Sequence, residues 1–183
     1  MVIFLLEEPS MKMFLEVLFS RLFPDARYQL VPHEGKSDLE RSIPRKVRGM
    51  HTIASAFVIV RDQHSAADCV ALKVKIAALG SGSSREVVAR IVCRELESWI
   101  LGDLVSLENA LQVSGIAKQN ARRKFRSPDQ LVNASEVLEK LCPGYTKTNG
   151  AKAVAAHFDP ARCTSKSFQV FFKTVNRLPG KTE

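Results

Sequence analysis

The chain has 183 residues, 45% of them apolar and 25% charged, and a formal net charge of +8. That length fits one domain able to bury its own core, and the composition excludes a disordered chain. The positive charge favours a polyanionic partner without identifying one.

Apolar runs at residues 2–6 and 56–60 fall far short of the ~20 residues of a membrane span. Glu7-Glu8 follows the first run at once, with no basic region ahead of it, so a cytoplasmic protein without a signal peptide or membrane segment is expected. Four widely spaced cysteines, Cys69, Cys93, Cys142 and Cys163, make no C-x-x-C pair, and buried reduced thiols are expected rather than a zinc site or a disulfide framework.

Val2–Leu6 is a continuous apolar run suited to a central strand covered on both faces. Ser10 then precedes Met11, Phe14, Leu15, Leu18 and Leu22 at helical spacing, and Pro24 stops that helix. Residues 27–31 read as a short strand. Ser37 opens a helix with a capping-box pattern to Glu40, interrupted or kinked at Pro44. Residues 56–60 form the second strongly apolar strand, followed by a polar turn at 61–65 and a helix through Val70, Val74, Ala77 and Ala78 that the 80–84 loop closes. Residues 87–92 give a further strand running into a helix at 94–99. Beyond Gly102 only helical segments remain, at 103–111, 129–141, 151–157 and 166–175. The expected fold is α/β, a mainly parallel sheet of about four strands flanked by helices, with residues 1–104 as the core and 105–183 as a helical extension packed on the same domain.

In such a sheet, ligands bind beyond the C-terminal ends of the strands. Glu7 and Glu8 follow the first strand, Asp62, Gln63 and His64 the third, and Glu95 and Glu97 the fourth, with Asp103 further on. Carboxylates gathered at one edge repel each other unless a cation intervenes, which makes Mg²⁺ the economical occupant and Mn²⁺ a fitting one beside His64. Singly, each acid has a plainer role, Glu7 or Glu8 in the first turn of a helix and Asp62 as an N-cap; together they favour a site. Glu95 and Glu97 would face different ways on a helix, and Glu97 is the better candidate, with Asp103 on the rim. Trp99 reads as core and Asp68 as solvated. The loop from His33 to Asp38 lacks the G-x-x-x-x-G-K pattern of a phosphate loop. Arg41, Arg45, Lys46 and Arg48, and the denser group Arg122, Arg123, Lys124 and Arg126 beside Phe125, suit either phosphate contacts or a solvated face.

The opening segment, an apolar strand ending in Glu7-Glu8 with Pro9-Ser10 before a helix, resembles TOPRIM-type domains, whose strand ends in Glu-Gly. Glu7 takes the place of that Glu. The segment Val58-Ile-Val-Arg-Asp62-Gln63-His64 is similar to their later Asp-x-Asp element. More narrowly, His33-Glu-Gly-Lys-Ser-Asp-Leu-Glu40, Arg61-Asp-Gln63, Cys93-Arg-Glu-Leu-Glu-Ser-Trp99, Gly102-Asp103, Lys147-Thr-Asn-Gly-Ala151 and Ser165-Lys-Ser-Phe168 resemble the bacterial DUF4276 family of TOPRIM-like proteins, over nearly the whole chain.

That resemblance implies a TOPRIM-like Rossmannoid fold and Mg²⁺-dependent phosphodiester chemistry, as in overcoming-lysogenisation-defect nucleases, topoisomerases and primases, beside an ATPase in phage defence. By the same implication Glu7 and Asp62 are catalytic, and Glu7, Asp62, His64, Glu97 and Asp103 hold Mg²⁺ or Mn²⁺. Lys36, Arg45, Lys46, Arg48, Arg61, Arg122, Arg123, Lys124 and Arg126 would bind DNA or RNA. Two positions depart from the pattern. Glu8 replaces the usual Gly, and His64 stands where the second Asp is expected, although an imidazole holds Mg²⁺ less well than a carboxylate. These departures leave an alternative, a catalytically weakened regulatory or nucleic-acid-binding subunit of an ATPase complex. A phosphoacceptor receiver domain is disfavoured, since no fifth strand followed by Lys is found.

Overall fold

A computed structural model describes residues 1–178. Four strands, β1 (Val2–Leu6), β2 (Tyr28–Pro32), β3 (Ala56–Asp62) and β4 (Glu86–Val92), form one parallel sheet in the order β2-β1-β3-β4. Between them lie α1 (Pro9–Leu22), α2 (Lys36–Gly49) and α3 (Cys69–Ala78). The second half is helical: α4 (Leu96–Ile100), α5 (Leu104–Leu111), α6 (Arg123–Arg126), α7 (Ala134–Leu141), α8 (Lys147–His157) and α9 (Lys166–Arg177), with short 3₁₀ turns at Ala117–Ala121 and Pro128–Gln130. No helix among the described residues is long and apolar enough to cross a membrane.

Every position of β1 and β3 is buried because both sheet faces are covered, which is why those strands read as unbroken apolar runs. Strand alternation sorts them between two cores. Phe4, Leu6, Val58 and Val60 pack with α1, α8 and α9, whereas Ile3, Leu5, Phe57 and Ile59 pack with α2 and α3. The first core is aromatic: Phe4 meets Phe19 edge-on at 5.0 Å between ring centroids, and Phe168 meets Trp99 at 5.3 Å and Phe158 at 4.9 Å. Trp99 is fully buried, as expected, and its Nε1–H donates to Ser167 Oγ at 2.8 Å. Ser165, two residues earlier, caps α9 by accepting Phe168 N–H.

Several local expectations give way to tertiary partners. Ser37 does not cap α2, which begins at Lys36 behind Gly35; the Glu40 carboxylate reaches out to Arg61 and Lys75 instead of folding back. Pro44 lies inside α2, and the helix runs through it. Val70 and Val74 are on α3 but face outward, each 65% exposed, while Leu72 and Ile76 hold the helix to the sheet. Asp68 is exposed and also caps α3, accepting from Val70 and Ala71 N–H. The helix expected at 129–141 is broken into the Pro128–Gln130 turn and α7, because the Asp129 carboxylate is taken up by Ser165 and Ser167 at the start of α9. Helix α8 starts four residues before its expected start, at Lys147.

Candidate metal centre

The chain leaves β1 towards β2 on one side and later places β3 on the other, so the direction of winding switches between β1 and β3, where parallel sheets open a crevice at their carboxyl ends. Leu6 is in register with Val60, so Glu7, just past β1, lies beside the last residues of β3. Its Oε2 accepts the Asp62 N–H at 3.0 Å, and its Oε1 contacts His64 Nε2 at 2.5 Å. Glu7, Asp62 and His64 each present a ligating atom, all within 4.8 Å of one another, a set able to coordinate a divalent cation. Glu7 and Asp62 are buried, and the half-exposed His64 opens the cluster to solvent.

Buried Asp62 Oδ1 and Glu97 Oε1 have no hydrogen-bond partner. Burial, then the neighbouring Glu7, Glu8 and Glu97, holds the Asp62 carboxyl well above the usual carboxylate range. Burial pushes the Glu97 carboxyl up to about 7. Orphaned carboxylate oxygens in a crowded acidic pocket are what a hard cation relieves, so the residues present fit the metal.

Backbone geometry fixes this arrangement. His64 and Arg94, neither of them glycine, take left-handed conformations with φ of 50° and 66°, and the His64 N–H donates to Arg94 O at 2.8 Å, tying the ends of β3 and β4 together. Strain of this kind persists where surrounding structure enforces it. On the other flank, Gly35 with φ 92° lets its N–H reach Glu7 O at 2.9 Å. Buried His33 bonds Leu6 O through Nδ1 at 2.8 Å, and burial lowers its pKa, so the ring stays neutral.

The other sequence candidates are spread more widely. Glu97 faces the cluster from α4 but stands outside the ligating trio. Glu95, at the N-cap position, accepts Ser135 N–H at 2.7 Å instead. Asp103 does not join: it caps α5 through Ser106 N–H and pairs with Arg162 at 3.0 Å, which occupies both its oxygens. Arg61 is 6% exposed, with its guanidinium on Glu40 and Asp62 O, leaving no face for a phosphate. Lys36 is exposed at the strand-end edge. Arg45, Lys46 and Arg48 lie towards the opposite edge, where Arg48 shares a cavity with Gly82 and Ser84. Arg122, Arg123, Lys124 and Arg126 are exposed around buried Phe125.

Two residues outside the expected set complete the pocket. Lys147, the first residue of α8, brings Nζ to 4.0 Å from Glu8 Oε2. Burial alone would lower its pKa, but Glu97, Glu8, Glu95 and Asp62 together raise it. Tyr145 lies in the same acidic field, its buried hydroxyl unpartnered, and burial raises its pKa. Its ring packs so tightly on Gly150 that an added Cβ would stand 2.4 Å from the ring edge. Gly150→Ala is therefore expected to displace Tyr145 and cost about 1–3 kcal/mol, read as a lower urea midpoint at unchanged slope.

A family model described as a domain of unknown function, DUF4276, matches residues 6–176, and the chain belongs to that family. No curated protein and no solved structure matches it.

Proposed function

We propose that this DUF4276 protein is a divalent-metal-dependent nuclease related to TOPRIM domains, acting on DNA or RNA as an effector of bacterial anti-phage defence beside an ATPase partner. The observation that carries the reading is the Glu7, Asp62 and His64 cluster at the sheet's switch point, with Asp62 Oδ1 buried and unpartnered. A bound Mg²⁺ or Mn²⁺ would polarise a phosphoryl oxygen and supply a nucleophilic water at neutral pH. Glu7 and Asp62 would hold the cation, and His64 would complete the set at the solvent side. Glu97 Oε1, with its carboxyl pushed up to about 7 by burial, takes or gives a proton near neutrality. Lys147 places a positive charge at the mouth, suited to orienting a phosphate. Exposed Lys36 and the Arg122 to Arg126 group would hold the nucleic-acid backbone with strong salt dependence and little sequence preference.

Cleavage of plasmid DNA and of structured RNA, with and without Mn²⁺ or Mg²⁺, tests the reading. Glu7→Gln and Asp62→Asn should lose metal-dependent cleavage while keeping the wild-type circular dichroism spectrum. Full activity in both would overturn it.

The mixed donor set favours Mn²⁺ over Mg²⁺. His64→Asp, which rebuilds an Asp-x-Asp element at a left-handed position that Asp tolerates, should raise Mg²⁺ affinity roughly tenfold by calorimetry. The close Glu7–His64 contact also supports a second reading, a partner subunit in which the imidazole occupies Glu7 in place of a metal. Absence of Mg²⁺ and Mn²⁺ binding in the wild-type titration would favour that role.

A further inference from the structure

Two thiols that the metal reading leaves unused meet at the β4 edge of the sheet. Cys69 is the first residue of α3, and Cys93 is the first residue past β4. Both are half-buried, whereas Cys142 and Cys163 are buried. Both line one groove of about 440 Å³, with Val70, Lys73, Arg90 and Val170 among its walls. Within it Cys69 stands close enough to Cys93 to bear on its thiol.

We propose that Cys69 and Cys93 form a reversible intramolecular disulfide, an oxidisable site that opens onto this groove. The segments that bring the two residues together are already tied. Gln63 Nε2–H donates to Ala66 O at 2.7 Å, and Arg94 N–H donates to Gln63 Oε1 at 3.4 Å, so the chain entering α3 and the chain leaving β4 share one side chain. A disulfide between two residues that line one groove needs their Cα atoms within about 7 Å. In a reducing cell, cysteine pairs of this kind are transient and oxidant-responsive rather than structural.

The oxidant is hydrogen peroxide. The Cys69 sulfur, as thiolate, attacks the peroxide oxygen; the O–O bond breaks, hydroxide leaves, and Cys69 becomes a sulfenic acid. Cys93 sulfur then attacks Cys69 sulfur, the S–O bond breaks, and the departing hydroxyl takes the Cys93 proton as water. The two sulfurs together lose two electrons, and one hydrogen peroxide gains them to leave hydroxide and water. Cys69 reacts first because burial, with Asp129 nearby, pushes the Cys93 thiol up to about 11 and keeps it protonated. The new bond ties the segment carrying Asp62 and His64 to the one carrying Glu95 and Glu97.

The test is a disulfide map of the full chain. Reduced protein is treated with hydrogen peroxide, its remaining thiols are alkylated, and the unreduced digest is read by mass spectrometry. Two of the four thiols should disappear, in a dithiothreitol-reversible link between the peptides of Cys69 and Cys93. Cys69→Ser and Cys93→Ser should each lose that link. Survival of all thiols, a link through Cys142 or Cys163, or cross-links only between chains would overturn the proposal. The wild-type map needs no variant, and metal binding measured under reducing conditions is independent of it.

Discussion

Asp62→Asn is expected to abolish tight divalent-cation binding and, at the same time, to make the metal-free protein more stable. The carboxylate is 1% exposed, its Oδ1 has no partner, and Glu7, Glu8 and Glu97 all act to raise its pKa. Without a cation the fold therefore carries a buried acid among like charges, which is destabilising whether the group is ionised or forced to hold its proton. An amide of nearly the same shape removes that penalty and can donate to the neighbouring carboxylates. A gain of about 1–2 kcal/mol would raise Tm by roughly 2–8 °C in a chain of this size. Removing an outer partner of a metal ligand already costs 10–100-fold in affinity, so loss of a direct anionic ligand should cost on the order of 100-fold or more. Thermal melts in EDTA and calorimetric Mn²⁺ titrations read the two effects separately. A variant that is less stable in EDTA, or that binds Mn²⁺ as wild type does, would show that Asp62 serves the fold and not a metal.

The parts of this centre that were legible in the sequence are those fixed by short-range pattern. Continuous apolar runs locate β1 and β3, and Glu7, just past β1, and Asp62, the last residue of β3, have to fall at one edge once the sheet is parallel. The α/β architecture, with a four-stranded parallel sheet and a helical second half, follows from the same patterns. What was not legible depends on partners distant in the chain. Asp103 precedes an apolar helix, an ordinary N-cap signal, but its pairing with Arg162 arises only from packing. Lys147 and Tyr145 fall outside the expected site because the apolar pattern starts α8 only at Ala151; Thr146, at the N-cap position, is the sequence signal for an earlier start. Arg61 looked like a free cation because nothing local announces that Glu40, on a different element, will neutralise it. Val70 and Val74 fit a helical apolar spacing, yet it is Leu72 and Ile76 that the sheet covers. Periodicity alone could not say which stripe would face inward.

The metal-free protein should also lose stability as the pH rises from about 5 to 7.5, the reverse of the behaviour of a salt-bridged acid. Glu97 holds its proton up to about 7 in the folded state, against an ordinary value of 4.5 in the unfolded chain. Between those values the native chain keeps a proton that the unfolded chain has released, so stability falls with rising pH across that window, by roughly 3 kcal/mol in total at 1.36 kcal/mol per pKa unit. Asp62, raised above 3.8, acts in the same direction. His33 opposes them: its lowered pKa means that the unfolded chain binds the extra proton, so its contribution grows as pH rises towards 6.5. Two carboxyls outweigh one imidazole, and a net fall in Tm of several degrees is expected in EDTA. Glu97→Gln should flatten most of that fall. Saturating Mn²⁺ should flatten it in the wild-type protein, because a cation favours the ionised carboxylates that the empty pocket penalises. A melt series that stays level in EDTA, or one whose slope survives both Glu97→Gln and Mn²⁺, would mean that the acids at this edge are neither coupled to one another nor waiting for a metal.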